Sequence, residues 1–366
     1  MEISLCMIVK NEESNLPKCL DSVKDLVDEI NIIDTGSTDR TIEIASQYTD
    51  RIFTFEWIND FSAARNFSYS KATKEYIMWL DADDVITEEN RERFKKMKET
   101  IIPEIDIIFM AYDCYYDLVE KSTITSVRER IVKKSANFIW EGTVHEHLKK
   151  TDDNIGFKSD VVITHRRSDN KRSITRNVGI LKSVMDSGKA SYREKYFYAM
   201  HMAINGNYVE SLKYFLEFLE DLGNDHFECV KGLIVMHDLY LEKGEPDKAL
   251  AVLLDNSQLC SDMSEFYCAL GNHYRDVEND QQNAASCFEK ALLCEGYRRD
   301  IALPALKNDS FYYYVPLKSL GQCQVKMNQF SEALASYKRA RVYNRKDQVL
   351  KDLCDRLEKL VDKIGA

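Results

Sequence analysis

Apolar positions in the first 110 residues follow two alternating periods. Ile3–Val9 is a short continuous apolar run, which predicts a buried strand. Leu16, Leu20, Val23 and Val27 then recur at helical spacing, with Pro17 in the first turn, where its missing N–H does least harm. Ile30-Asn31-Ile32-Ile33 predicts a second strand. Gly36-Ser37-Thr38-Asp39 turns the chain into a helix carrying Ile42, Ile44 and Ala45. Arg51–Phe55 predicts a third strand. Asn59 or Asp60 can cap a helix through Phe61, Ala64, Arg65 and Ala72, and Tyr76–Leu80 predicts a fourth strand. A β-α-β-α-β-α-β order predicts a parallel sheet with helices on both faces. Such sheets bind ligands at the carboxyl ends of their strands, where Lys10-Asn11-Glu12, Asp34 and Asp81-Ala82-Asp83 fall.

Between about 110 and 170 the pattern is strand-rich. Ile105–Met110, Val127–Lys133 and Val161–Thr164 predict strands, with Trp140-Glu141-Gly142-Thr143-Val144-His145-Glu146 between the last two. After Arg172 the periodicity is helical and repeats imperfectly. Asn205-Gly206-Asn207, Lys243-Gly244-Glu245 and Met327-Asn328-Gln329 each precede a helix, and Gln282–Phe288 is a degenerate copy. The small residues Ser211, Ala249, Ala284 and Ala333 occupy matching positions, separated by 38, 35 and 49 residues. An ordinary helical bundle is the alternative; the recurrence favours tetratricopeptide-like repeats, whose period is about 34 with tolerated insertions. Two domains are expected, 1–172 and 173–366.

The 366 residues, 44% hydrophobic and 30% charged, suit globular domains with real cores. No apolar run reaches the roughly 18 residues of a membrane span. Met1–Val9 reads as a strand and not as a signal peptide. Ten Cys without a C-x-x-C pair predict reduced thiols and a cytoplasmic protein. A net charge of −11 argues against nucleic acid as the main partner.

The chemistry concentrates where Met78-Trp79-Leu80 ends in Asp81-Ala82-Asp83-Asp84. A D-x-D at a strand end offers hard oxygen ligands for Mg²⁺ or Mn²⁺ carrying a diphosphate. The competing reading is an acidic cap for a helix beginning near Thr87.

Met7–Glu13, Ile33–Asp39, Ala63-Ala64-Arg65-Asn66 and Trp79–Asp83 together resemble the family 2 glycosyltransferases. The resemblance implies an α/β GT-A fold, the Rossmann-like, mainly parallel sheet of nucleotide-diphospho-sugar transferases, followed by the all-α tetratricopeptide-like domain. Asn59–Asn66, Gly142-Thr143-Val144-His145-Glu146 and His165 are similar to one bacterial branch with that architecture, which includes sublancin-type peptide S-glycosyltransferases.

The resemblance implies a UDP-sugar donor held by Val9, Asn11, Glu12, Asp34, Arg65, Asp81 and Ala82. Asp34 would meet the uracil or ribose, or serve only as a turn cap. Arg65 would meet the nucleotide or its diphosphate. Asp83 would ligate Mn²⁺ or Mg²⁺, with Asp81 through water and His165 completing the set. Glu146 is the first candidate for the base that takes the acceptor proton, with His145 shaping it and Glu141 as rival. Trp140 is a sugar platform or plain core. Lys171, Arg172 and Arg176 are a phosphate flap or a solvated face. The expected activity is metal-dependent, inverting transfer of a hexose to a peptide or protein side chain (Cys, Ser or Thr). The repeats would hold that acceptor or pair two copies as a homodimer. The alternatives are transfer to envelope polysaccharide or glycolipid, and a non-catalytic nucleotide-sugar-binding scaffold.

Overall fold

A computed structural model describes residues 1–117, 122–151, 153–166, 170–221, 226–294 and 309–365. The side chains of Lys171 and Arg172 lie outside what it describes. The chain divides into two compact units, Met1–Tyr198 and, for the most part, Ala199–Ala366.

The first unit begins β1 (Ile3–Val9), α1 (Leu16–Val23), β2 (Glu29–Asp34), α2 (Thr41–Ala45), β3 (Ile52–Thr54), α3 (Phe61–Ser70), β4 (Tyr76–Trp79), β5 (Asp84–Val85) and α4 (Glu88–Thr100). It continues with β6 (Ile107–Asp117), β7 (Ser122–Lys133), β8 (Trp140–Glu141), β9 (His147–Leu148), β10 (Gly156–His165), α5 (Asn170–Asp186) and α6 (Tyr192–Ile204), the last as far as Tyr198. The eight-stranded sheet has the order β3-β2-β1-β4-β7-β6-β10-β5, and β8 and β9 form a separate hairpin. β1 runs parallel to β2 and β4, and β2 to β3. β7 is antiparallel between β4 and β6. β10 is parallel to β6 and antiparallel to β5. The parallel β3-β2-β1-β4 half is what the alternating pattern predicts, and the whole, mainly parallel sheet is the GT-A arrangement that the resemblance implies.

Strand alternation sorts the core into two faces. Ile3, Leu5, Met7 and Val9 pack with Leu16, Cys19, Leu20 and Val23 of α1 and with Phe94 and Met97 of α4. Cys6, Ile77 and Trp79 point to the opposite face, with Tyr69 of α3. Asp60 is the cap that starts α3: its side chain accepts from the Ala63 amide at 2.9 Å.

The second unit continues with α7 (Tyr208–Asp221), α8 (His226–Glu242), α9 (Pro246–Asp255), α10 (Ser264–Asp276), α11 (Gln281–Leu293), α12 (Tyr314–Lys326), α13 (Phe330–Tyr343) and α14 (Gln348–Gly365). Its repeat is visible in the turns. Gly206, Gly244, Asn279 and Asn328 are left-handed, at φ of 76°, 73°, 55° and 59°. In three of the four turns the next amide reaches back over the helix end: Asn207 to Met202, Glu245 to Tyr240 and Gln329 to Gln324, at 2.8–2.9 Å. That closure satisfies carbonyls left free at a helix terminus. Five residues after each left-handed position stands the small residue, and Ser211, Ala249, Ala284 and Ala333 are all fully buried. Small side chains there let paired helices approach closely. At Gly271 of α10 a Cβ would lie 2.8 Å from the Phe288 ring of α11. No described helix is long and apolar enough to cross a membrane. The nine cysteines whose side chains are described are buried.

Candidate active site

Two loops at the strand ends are stitched together. Asn11, left-handed at φ 57°, donates its amide to Ser37 Oγ at 3.0 Å and accepts from the Thr38 amide at 2.7 Å. The Glu12 amide donates to Thr41 Oγ1 at 2.7 Å. Asp34, buried at the end of β2, accepts from the Gly36 and Ser37 amides at 3.2 and 3.0 Å. Gly36 has φ 100°, which only glycine adopts cheaply. Asp34 is thus a turn cap, with carboxylate lone pairs left for another donor. The Val9 carbonyl accepts from Thr35, and the Val9 and Ala82 side chains lie in the core.

The acidic run after β4 is organised by two arginines that flank Trp79. The Arg65 guanidinium lies 4.5 Å from the Trp79 ring and 5.0 Å from Trp140, which is itself core. It donates to Asp81 Oδ1 at 3.0 Å and to Glu146 Oε1 at 2.5 Å. Burial opposes its charge, but Glu146 and Asp81 outweigh that and raise its pKa. Arg130, fully buried, lies 3.9 Å from Trp79 and pairs with fully buried Asp84 at 3.1 Å. Burial works against the charge on Asp84, and Arg130 and its hydrogen bonds hold its pKa below the usual range.

Asp81 and Asp84 therefore each have an arginine. Among the described residues Asp83 has none; its ion-pair partner is His165, at 3.6 Å. Burial, and the charges of Asp81, Asp84 and Glu12 against the opposing pull of His165, push the Asp83 carboxyl up to about 6. Glu12 is raised as well, chiefly by burial, with Asp81 and Asp39 adding to it.

His165 ends β10 and is brought to the acid run by its pairing with β5, the smallest strand of the sheet. In the β10–β5 pair it stands opposite Asp84, and the Arg166 amide donates to the Asp83 carbonyl at 2.7 Å. Its Nδ1 is 2.8 Å from the Tyr112 hydroxyl and 3.4 Å from Asp84 Oδ1. The Asp84 contact raises the His165 pKa against burial. Ligand atoms of Asp83, Asp84 and His165 all lie within 4.8 Å of one another. Carboxylates beside an imidazole suit Mn²⁺, and Asp83, which has no arginine among the described residues, is the carboxylate best placed to take a divalent ion. Asp81 is not in that group, being held by Arg65. Asp84 is in it, but its oxygens already serve Arg130, the Asp81 amide and Tyr112.

Residues 142–146 form the loop of the β8–β9 hairpin, in which Glu141 pairs with His147. Asn66 fixes the hairpin to α3, exchanging two 2.9 Å hydrogen bonds with the Trp140 backbone. Glu146 is directed to Arg65 and so shares that guanidinium with Asp81. His145 is exposed, left-handed at φ 57° and stacked on Phe197 at 4.1 Å. Glu141 pairs with exposed Lys149. The structure thus gathers Glu12, Arg65, Asp81, Asp83, Glu146 and His165 around the end of β4. Arg176 of α5 is exposed, stacks on Phe61 at 4.7 Å and slightly opposes the rise of the Glu12 pKa. Arg130, Tyr112 and Asn66 were not singled out by sequence reasoning. Asn66 alone carried a signal, as the last residue of the Ala63–Asn66 motif.

A mainly parallel sheet thus carries an acidic cluster at the end of β4, the end at which such sheets bind ligands. Residues 4–148, within the first unit, match the model of glycosyl transferase family 2, a match that supports a glycosyltransferase. Over 312 residues the chain is 25% identical to the SPbeta prophage-derived glycosyltransferase SunS of Bacillus subtilis, covering 81% of this chain and 72% of that one. A stretch of 83 residues is 51% identical to a TPR repeat-containing protein of Synechococcus elongatus, covering 23% of this chain and 21% of that one. Among solved structures, a thermophilic TPR protein of Thermus thermophilus is similar over 51% of this chain and 92% of its own, at 16% identity and a TM-score of 0.35.

Proposed function

We propose that this protein is a metal-dependent, inverting glycosyltransferase that moves a hexose from a UDP-sugar to a peptide or protein side chain. The observation that carries the reading is the division of labour in the acidic run: arginines neutralise Asp81 and Asp84 and leave Asp83 free for an ion. Asp83 and His165 would hold Mn²⁺ or Mg²⁺, which as a Lewis acid offsets charge growing on the diphosphate leaving group. Asp34 and the Asn11-Glu12 loop would receive the nucleoside. Arg65 would orient Asp81 toward the donor.

Glu146 is the preferred base over Glu141. It shares Arg65 with Asp81, whereas Glu141 is spent on a surface pair with Lys149. Arg65 engages Oε1, so proton acceptance falls to Oε2. A Cys acceptor, with a thiol pKa of about 8.5, would need only a weak base. The peptide acceptor rests on the resemblance to the sublancin-type branch and on the helical repeats, an architecture that builds extended binding surfaces.

The test is nucleotide release from UDP-, GDP- and TDP-sugars with Mn²⁺, Mg²⁺ or EDTA. UDP release that EDTA abolishes is the expected result. Metal-independent release, or none from any donor with no thermal shift, would overturn the reading.

A further inference from the structure

The family match ends at residue 148, yet the compact unit runs to Tyr198 and takes in most of α6. Ser191-Tyr192-Arg193-Glu194 opens that helix as a capping box. The Glu194 amide donates to Ser191 Oγ at 3.3 Å, and the Ser191 amide and hydroxyl donate to Glu194 Oε2 at 2.9 Å. A cap needs only one carboxylate oxygen. The other, Oε1, accepts from the Thr143 hydroxyl at 2.7 Å and the Thr143 amide at 3.2 Å, across 51 residues of sequence. Glu194 is buried, and those hydrogen bonds outweigh burial in lowering its pKa. One turn further on, Phe197 stacks on His145. Positions three apart share a helix face, so a single face of α6 holds the 142–146 loop at two points. The loop's third anchor is the Phe61 amide of α3, which donates to the Thr143 carbonyl at 2.9 Å.

We propose that Glu194 is a positioning residue of the transferase: acting through Thr143, it sets the loop that places Glu146 against Arg65. The proposal rests on the reading of Glu146 as the base. A misplaced base slows chemistry more than it weakens donor binding, and displacements near 1 Å cost roughly 100-fold.

The experiment compares Glu194→Ala, Glu194→Gln, Thr143→Val and Ser191→Ala in the full chain. Two readouts are taken: steady-state transfer, and hydrogen exchange at the Phe61 amide by NMR. Glu194→Ala is expected to lower kcat about 10–100-fold with donor KM within twofold, and to speed Phe61 exchange at least tenfold. Thr143→Val, which leaves α6 intact, should act in the same direction, and Glu194→Gln, which keeps an acceptor for Thr143, should recover most of kcat. Ser191→Ala breaks the cap alone and should leave both readouts near wild type. Equal effects of Ser191→Ala and Glu194→Ala, or unchanged Phe61 exchange in Glu194→Ala, would reduce Glu194 to a helix cap. Should the wild type turn over no nucleotide sugar, the functional reading fails and Phe61 exchange alone decides the loop's positioning.

Discussion

The two units solve the problem of buried polar groups in opposite ways. In the first, Asp34, Arg65, Asp84, Glu129, Arg130 and Glu194 are buried, most of them around the strand ends. In the second, the buried polar groups among the described residues are mostly Ser, Gln and His, and the recurring features are left-handed turns and small side chains. Buried charge is expensive to assemble and sensitive to the loss of one partner. Close packing of small residues is instead sensitive to added volume. Chemistry is thus localised where the chain retains charge away from water, while the repeats are built for shape.

Arg65→Leu breaks this contrast hardest. It strands Asp81 and Glu146 together and removes the ring-stacked guanidinium, so a loss of about 3 kcal/mol in stability is expected, along with nucleotide release. Chemical denaturation with the activity assay checks both, and a stable, active variant would remove Arg65 from the centre of the site. Gly321→Ala should act through volume alone. Its new Cβ would overlap the buried Tyr337 ring, at a cost of about 2 kcal/mol. Calorimetry should show the helical unit melting earlier, with UDP release retained.

A smaller effect comes from acid. Burial alone would raise Glu29, but hydrogen bonds from Thr73, Asn31 and Ser4 hold it at about 2, against an ordinary 4.5. Asp347 in the helical unit is likewise held at about 2 by Lys318 and Tyr314 against burial, from an ordinary 3.8. Both folded values are depressed. The stabilisation they supply is therefore complete above the ordinary value and drains away as pH falls toward 2. Glu29→Gln and Asp347→Asn should each flatten the acid limb of the stability curve, read by denaturation between pH 5 and 2. An unchanged limb would show that the partner bonds are not present in solution.

Much of this was legible in the sequence because it is local. The four early strands, the acid run after Trp79 and the turn-plus-small-residue repeat are each written within a few adjacent residues. Long-range pairings were not. Asp84-Val85 is too short to register as a strand, yet it is the segment that sets Asp84 opposite His165. Arg130 sits in an ordinary strand pattern, and only the pairing of β7 with β4 brings it to the acid run that follows Trp79. The capping box at Ser191–Glu194 is a local signal, but its second oxygen serves a loop 51 residues away. Asp84 had no assigned role, and its burial against Arg130 shows it to be an internal anchor of the acid run.

The central claim is that Asp83, and not its arginine-held neighbours, carries the ion. Calorimetric titration of Mn²⁺ in the presence of UDP, on wild type and Asp83→Asn, tests it most directly. The account predicts that Asp83→Asn weakens Mn²⁺ binding about 100-fold or more while its melting temperature without metal is unchanged or raised, since a repelled carboxylate has been removed. Wild-type Mn²⁺ affinity in Asp83→Asn would contradict it.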